Sequence, residues 1–152
     1  GLHNRHHGEQ LLAEGYITAR TLEHPLTLIM CDIDHFKQIN DQFGHPTGDR
    51  ILVEVAGMLR KAVRSGDAVI RWGGEEFMIV LNDCAQQDAV DLARRILHRV
   101  NSYKDVEIPA LTVSLGLATL APEEAIDELI ARADSALYDA KRAGRNRLSV
   151  SD

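Results

Sequence analysis

The clearest hydrophobic pattern in the chain is a nearly continuous apolar run, LTLIMC, at residues 26–31. A run without polar alternation predicts a β-strand that is buried on both faces, at the centre of a sheet with helices on each side. Two further apolar runs, 68–70 and 77–81, flank a pair of glycines and predict a β-hairpin. Weaker strand patterns occur at 106–108, 111–118 and 148–150.

Helical spacing of apolar residues separates these strands. It predicts helices at about 6–21, 35–43, 47–63, 85–100 and 123–143, the third opened by Thr47 or Asp49 as its N-cap. The resulting order, αβααββαββαβ, indicates an α/β fold with a mixed central sheet of about five strands plus an edge hairpin, flanked by helices. We expect one domain over residues 1–152. Because the chain begins with Gly1 rather than Met, we expect it to be part of a longer, multidomain protein.

Composition narrows the classes of function. The net charge of −6 argues against a surface that grips nucleic-acid phosphates. No apolar run is long enough to span a membrane, so no membrane segment is expected in this chain. Cys31 and Cys84 match no metal-ligand spacing and are typical of reduced thiols in a cytosolic protein. We therefore expect a cytoplasmic domain, whose full-length protein could still be tethered to a membrane.

Carboxylates stand at two places where their burial needs an explanation. Asp32 and Asp34 follow the buried run, and a carboxylate there is costly unless a partner neutralises it. Capping of the next helix is a plausible alternative for Asp34, but it explains Asp32 less well because Asp32 is nearer the buried strand. Glu75 and Glu76 follow the two glycines of the hairpin. If the hairpin pairs beside the central strand, these acids meet at one sheet edge and form an oxygen-rich site of the kind Mg²⁺ or Mn²⁺ prefers.

Several motifs in this order and spacing resemble the GGDEF family of diguanylate cyclases, over essentially the whole chain. They are GLHNR at 1–5, DIDHFKQIND at 32–41, FGHPTGD at 43–49, RWGGEEF at 71–77, SLG at 114–116 and ADSALYDAKRAGRN at 133–146. The resemblance implies a palm-like sheet related to nucleotide polymerases and nucleotidyl cyclases. It also implies condensation of two GTP molecules into cyclic di-GMP, with release of two pyrophosphates.

The resemblance assigns the chemistry to a few positions. Asp32 and Glu75, with the main-chain carbonyl of Ile33, are expected to bind two Mg²⁺ or Mn²⁺ ions per active site. Glu76 is expected to help remove the proton of the attacking 3′-hydroxyl. Lys37 would supply positive charge where phosphate charge builds up.

The same resemblance implies the residues that bind GTP. Asn40 and Asp49 would read the guanine edge, since a carboxylate accepts from guanine donors that adenine lacks. Gly73 and Gly74 would let the hairpin lie against the substrate. The triphosphate would meet the backbone N–H of Phe36 and the side chains of Lys37, Lys141 and Arg145.

Several of these assignments have a purely structural alternative, which is weakest for the metal-binding pair Asp32 and Glu75. Lys141 and Arg145 are four residues apart, hence on one helix face, and could simply favour a helix C-terminus. Asn40 could be a turn residue, Asp49 an N-cap, and Phe36 a core residue.

A second site is expected just upstream of the hairpin. Arg64 and Asp67 have the R-x-x-D form and spacing at which the family binds cyclic di-GMP as an inhibitor, with a further arginine, Arg95 or its neighbour Arg94, closing the site. The same residues are also ordinary surface composition at a helix end.

The resemblance further implies a homodimer, because each domain binds one GTP and the active site forms between two copies. An upstream regulatory domain would control their pairing. A different class of function, a catalytically silent sensor of GTP or cyclic di-GMP, is disfavoured by the intact Asp32, Glu75 and Glu76. A cyclase with another base preference is disfavoured by Asp49.

Overall fold

The computed structural model describes residues 2–152, so Gly1 of the motif at 1–5 lies outside the described residues. No helix within 2–152 has both the length and the apolar character needed to cross a bilayer. The helices and strands follow one another as α1 (Arg5–Leu22), β1 (Leu26–Ile33), α2 (Phe36–Phe43), α3 (His45–Ala62), β2 (Ala68–Arg71), β3 (Glu76–Asn82), α4 (Gln86–Asn101), β4 (Val113–Thr119), α5 (Ile126–Arg142) and β5 (Leu148–Val150).

The strands form one mixed sheet in the order β2-β3-β1-β4-β5. Neighbouring strands run antiparallel except β4 and β5, which are parallel. β1 lies at the centre and all of its residues are buried, which confirms the prediction from the unbroken apolar run. The predicted hairpin is present as β2 and β3, and it pairs directly beside β1.

Residues of β1 alternate between two hydrophobic clusters, one on each face of the sheet. Ile29, Cys31 and Ile33 pack with buried residues of α2, α3 and α4. Leu28 and Met30 pack with buried residues of α1 and α5. The sheet is therefore the middle of three layers, and the position of a β1 residue decides which set of helices it meets.

The strand expected at 106–108 does not form. Within the described residues, 2–152, the sheet has five strands, and the hairpin supplies two of these five rather than adding to them. The Asp105 carboxylate accepts from the backbone nitrogens of Glu107, at 2.9 Å, and Ile108, at 3.0 Å. These bonds use N–H groups that a strand would need for its ladder. Arg50 of α3 also pairs with Asp105, which fastens this loop to the start of α3.

Two expected helix caps are also wrong. α3 begins at His45 after Gly44, whose φ of 91° suits glycine, so neither Thr47 nor Asp49 is the N-cap. Pro46 lies in the first turn, where its missing N–H costs nothing. The residue that precedes α2 is His35, with no side-chain cap, so Asp34 does not cap this helix.

β4 and α5 approach each other so closely that position 116 has no room for a side chain. A methyl group on Gly116 would overlap the main-chain nitrogen of Leu137 and the carbonyl oxygen of Ala133, and would lie 2.7 Å from Leu137 Cα. Main-chain atoms cannot move aside as a flexible side chain can. The close approach therefore fixes where α5 lies over the sheet.

We predict that Gly116→Ala lowers the free energy of unfolding by at least about 2 kcal/mol, because the added methyl group forces α5 away from β4. Urea unfolding followed by circular dichroism measures it. Gly57→Ala is the matched control, since nothing lies within 4 Å of a Cβ added there in α3. It should stabilise the protein by about 0.5–1 kcal/mol. A Gly116→Ala protein as stable as the wild type would contradict the packing.

Candidate active site

The acidic residues predicted to meet do so at one edge of the sheet. Asp32, near the end of β1, pairs with Glu76 at the start of β3. The main-chain nitrogen of Ile33 donates to the carbonyl oxygen of Glu75 at 3.3 Å, which places the hairpin turn beside the end of β1. The pairing of the hairpin with the central strand thus brings the three carboxylate-bearing residues together, as the sequence predicted.

Asp32 is buried on the face of the sheet that α5 covers, and Lys141 of α5 forms an ion pair with its carboxylate. Burial raises the pKa of Asp32, while the Lys141 hydrogen bond and charge oppose that rise. Glu76 is half-buried. Its pKa is raised by burial first, and then by the negative charges of Asp134 and Asp32. The edge therefore concentrates negative charge that a cation must balance, and Lys141 supplies part of that balance.

A pocket of about 180 Å³ opens at this edge. It brings together seven of the predicted site residues, and its walls are formed by Asp32, Ile33, Asp34, His35, Phe36, Lys37, Gln38, Glu75, Lys141 and Arg145. The N-terminus of α2, which carries no side-chain cap, forms one side of it. A helix N-terminus presents free N–H groups and a partial positive charge, both of which favour an anion. The pocket thus combines acidic groups with several features that attract phosphate.

Arg145 reaches the pocket by a different route from the one predicted. α5 ends at Arg142, so Arg145 and Lys141 do not share a helix face. The chain turns instead through Gly144, at φ 125°, and Arg145, at φ 64°, with the Arg145 nitrogen donating to the Ala140 carbonyl at 3.0 Å. Both side chains still line the pocket because this turn folds back beside the end of the helix.

The hairpin turn is closed by main-chain and arginine contacts. The nitrogens of Trp72 and Gly73 donate to the Glu76 carbonyl at 2.8 and 3.1 Å, and the Arg71 guanidinium donates to the Gly74 carbonyl at 2.6 Å. Neither Gly73 nor Gly74 adopts a positive φ, so the backbone of this turn does not itself require glycine. Nothing lies within 4 Å of a Cβ added at Gly74, which leaves the outer side of the turn open to a ligand.

Two residues expected to read guanine lie outside this pocket, on the α2–α3 pair. Asp49 is exposed on α3. Asn40 of α2 is half-buried, and its Oδ1 atom is buried without a hydrogen-bond partner among the described residues. A methyl group at Gly48 of α3 would overlap that oxygen. The absence of a side chain at Gly48 therefore makes the space in which the Asn40 amide lies.

Asp34 has a role that sequence reasoning missed. Its carboxylate accepts from the hydroxyls of Thr112, at 2.7 Å, and Ser114, at 2.6 Å, and from the Asn146 backbone nitrogen, at 3.0 Å. Ser114 and Asn146 both belong to recognised motifs, which is the only signal in the sequence that they matter. Nothing in the local pattern pairs them with Asp34.

The donors at the sheet edge suit a hard divalent cation. Asp32, Glu75 and the Ile33 carbonyl offer only oxygen atoms, the ligands that Mg²⁺ and Mn²⁺ prefer. Within residues 2–152, no group of three or more His, Cys, Asp or Glu side chains forms a ready ligand set. The protein therefore provides part of a coordination shell rather than a closed metal cage.

A second pocket, also of about 180 Å³, contains Arg64, Asp67 and Arg95. The Arg64 guanidinium donates to Asp67 at 3.5 Å and to the Asn82 carbonyl at 2.8 Å, and Asp67 in turn accepts from the Asn82 nitrogen at 3.0 Å. Arg95 of α4 lines this pocket and Arg94 does not. The structure therefore favours Arg95 as the third arm of the predicted second site.

The chain is similar to known proteins of one family. The family model described as "Diguanylate cyclase, GGDEF domain" matches residues 1–147. The diguanylate cyclase DgcM of Escherichia coli strain K12 is 40% identical over 148 residues, which cover 97% of this chain and 36% of that protein. The chain thus spans about a third of the length of this curated relative.

Solved structures give the same result. The active GGEEF domain of a diguanylate cyclase from Vibrio cholerae superimposes with a TM-score of 0.92 at 35% identity, covering 100% of this chain and 99% of that one. The GGDEF domain of DgcB from Caulobacter crescentus, solved in complex with c-di-GMP, gives 0.93 at 34% identity, covering 98% and 88%. The chain therefore belongs to the GGDEF family, whose palm-like fold it shares.

Proposed function

We propose that this chain condenses two GTP molecules into cyclic di-GMP and releases two pyrophosphates. The observation that supports this best is the edge where β1 meets the hairpin. There Asp32 and Glu75, suited to a divalent cation, line the same pocket as three basic side chains, Lys37, Lys141 and Arg145. A nucleoside triphosphate carrying divalent cations has the complementary arrangement of charge.

Asp32, Glu75 and the Ile33 carbonyl would hold the two Mg²⁺ or Mn²⁺ ions, and phosphate oxygens would complete the coordination. When bound, the ions would make the 3′-hydroxyl more acidic and neutralise charge on the phosphates. Lys141, which pairs with Asp32 in the described structure, would then turn towards the triphosphate.

The remaining groups position the substrate. Lys37 and Arg145 would balance the charge of the β- and γ-phosphates, and the backbone N–H of Phe36 would donate to them from the N-terminus of α2. Glu76 would accept the proton of the 3′-hydroxyl. The hydroxyl oxygen would form a bond to the α-phosphorus of the other GTP as the bond between that phosphorus and pyrophosphate breaks.

Guanine recognition would fall to Asn40 and Asp49. The exposed Asp49 carboxylate would accept from N–H groups of the base, and the buried Asn40 Oδ1 would gain the partner that it lacks among residues 2–152. Gly73 and Gly74 would lie against the substrate, and nothing lies within 4 Å of a Cβ added at Gly74 to block its approach.

One such pocket holds one GTP, so the reaction needs two copies of the domain facing each other. We therefore propose a homodimer as the active form, brought together by an upstream domain in the full-length protein, and acting in the cytoplasm where GTP is available.

Glu75→Gln should lower the rate of cyclic di-GMP formation at least about 100-fold, because it removes the charge that holds a divalent cation while keeping the shape of the side chain. Chromatography of the products after incubation with GTP and Mg²⁺ measures the effect. Glu54→Gln, which removes an exposed acid on α3, is the control and should leave the rate unchanged.

The same assay separates the alternatives. Product from Glu75→Gln at the wild-type rate would refute the assigned site, and GTP binding without any product from the wild type would indicate a silent sensor.

Turnover per domain should rise with protein concentration if the active form is a homodimer. Equal turnover over a hundredfold range of concentration would contradict the dimer.

Gly48→Ala should raise the KM for GTP about tenfold or more, because the new methyl group displaces the Asn40 amide from the space it occupies. The atom it meets is at the end of a side chain that can rotate away, so the melting temperature should change little. Initial rates against GTP concentration give the KM. Gly57→Ala on the same helix is the control, and an unchanged KM in Gly48→Ala would argue against base reading by Asn40.

We also propose that the pocket of Arg64, Asp67 and Arg95 binds cyclic di-GMP and inhibits the enzyme. Asp67 and Asn82 hold the Arg64 side chain at the rim of this pocket, and Arg95 approaches from α4. Paired arginines suit the guanine and phosphate groups of this ligand. Asn82 is the last residue of β3 and Glu76, at the active site, is the first, so this strand would link the two sites.

Arg64→Ala should weaken cyclic di-GMP binding at least about tenfold in a calorimetric titration, because one charged donor is lost. Arg60→Ala removes an exposed arginine of α3 outside the pocket and should bind like the wild type. No binding by the wild type, or equal binding by Arg64→Ala, would exclude the inhibitory site.

A further inference from the structure

Asp34 connects three separate parts of the chain. Its Oδ1 atom accepts from the Ser114 hydroxyl of β4, and its Oδ2 atom accepts from the Thr112 hydroxyl and the Asn146 backbone nitrogen. Its own nitrogen donates to the Thr112 carbonyl at 3.0 Å. The residue is 5% exposed, so these bonds lie largely away from water, where they are hard to replace.

The bond to Asn146 holds a strained turn. Arg145 and Asn146 have φ values of 64° and 48°, two successive non-glycine residues in the left-handed region. Such conformations are unfavourable and persist where surrounding contacts fix them. The side-chain bond from Asp34 is a direct link between this turn and the end of β1. Arg145, one residue before the bonded nitrogen, is thereby fixed at the wall of the phosphate pocket.

Other roles for Asp34 fit less well. Both of its oxygens already accept hydrogen bonds, three in all, which leaves little capacity for a metal ion. Its negative charge lines the pocket proposed for phosphates, where charge alone would weaken binding. The role that fits best is structural, because Asp34 connects the turn that carries Arg145 to the end of the strand that carries Asp32.

We propose that Asp34 is a positioning residue that sets the Arg145 guanidinium for the triphosphate by holding the Asn146 backbone. This inference rests on the proposed function, because it takes Arg145 to be a phosphate ligand. It predicts that the effect of Asp34 on substrate binding passes through Arg145 and depends on hydrogen-bond geometry rather than on charge.

A double-mutant cycle tests the first part. The probe is 3′-deoxyguanosine triphosphate with Mg²⁺, which lacks the attacking hydroxyl and therefore binds without reacting. Calorimetry should show affinity about tenfold weaker for Asp34→Ala and at least tenfold weaker for Arg145→Ala. The double variant should match Arg145→Ala within about twofold. If the fold-losses in affinity of the two single variants multiply in the double variant, Asp34 acts independently of Arg145 and the proposal is overturned.

Two further variants separate geometry from charge and from simple stability. In Asp34→Asn, the amide oxygen can still accept from Asn146 and Thr112 while the amide nitrogen donates to the Ser114 hydroxyl, so affinity should stay within about threefold of wild type. Thr112→Val removes the bond from the residue just before β4 but leaves the bond to Asn146, and should also bind normally. A tenfold loss in either variant, with an unchanged melting temperature, would overturn the proposal even if Asp34→Ala does not fold.

The proposed function can fail separately. If the wild type binds the probe but makes no cyclic di-GMP from GTP, the proposed cyclase function is wrong. The double-mutant cycle still measures whether Asp34 positions Arg145. If cyclic di-GMP forms and the Asp34 and Arg145 effects are independent, only the positioning role is wrong.

Discussion

The structure of the site depends on a buried carboxylate at the end of the central strand. Asp32 belongs to the apolar strand β1, and burial without a partner would disfavour its charged form. Lys141 compensates for that burial, because it reaches from α5 to the adjacent sheet and forms an ion pair with Asp32. The compensation needs α5 to lie close to the sheet, and the absence of a side chain at Gly116 permits this.

Around this ion pair, polar side chains fix the loops by bonding to the main chain. The Asp34 carboxylate accepts from the Asn146 nitrogen, the Asp105 carboxylate accepts from the nitrogens of Glu107 and Ile108, and the Asn82 side-chain amide donates to the Gly66 carbonyl in the loop that precedes β2. Each bond satisfies main-chain groups that lie outside helices and strands. The edge of the sheet is consequently formed by loops with defined positions, which suits a site that must orient a triphosphate.

Local sequence patterns predicted much of this arrangement. The unbroken apolar run placed β1 at the centre, and the two runs around Gly73 and Gly74 predicted the hairpin that brings Glu75 and Glu76 to Asp32. These predictions succeeded because period and apolar content depend on neighbouring residues alone. The strand prediction at 106–108 was wrong because a side chain competes with strand pairing there. The Asp105 carboxylate, just before the segment, accepts hydrogen bonds from the backbone N–H groups of Glu107 and Ile108.

The sequence by itself determined the fold class, the sheet edge at which acids and bases meet, and, through its motifs, the family. Only the tertiary structure decided which side chains bond there. Asp34 finds Ser114 and Asn146, 80 and 112 residues further along the chain, and Arg145 enters the pocket from a turn rather than from a helix. Such partners follow from how distant segments pack, because a hydrogen bond requires atoms within about 3 Å and no local pattern encodes that distance.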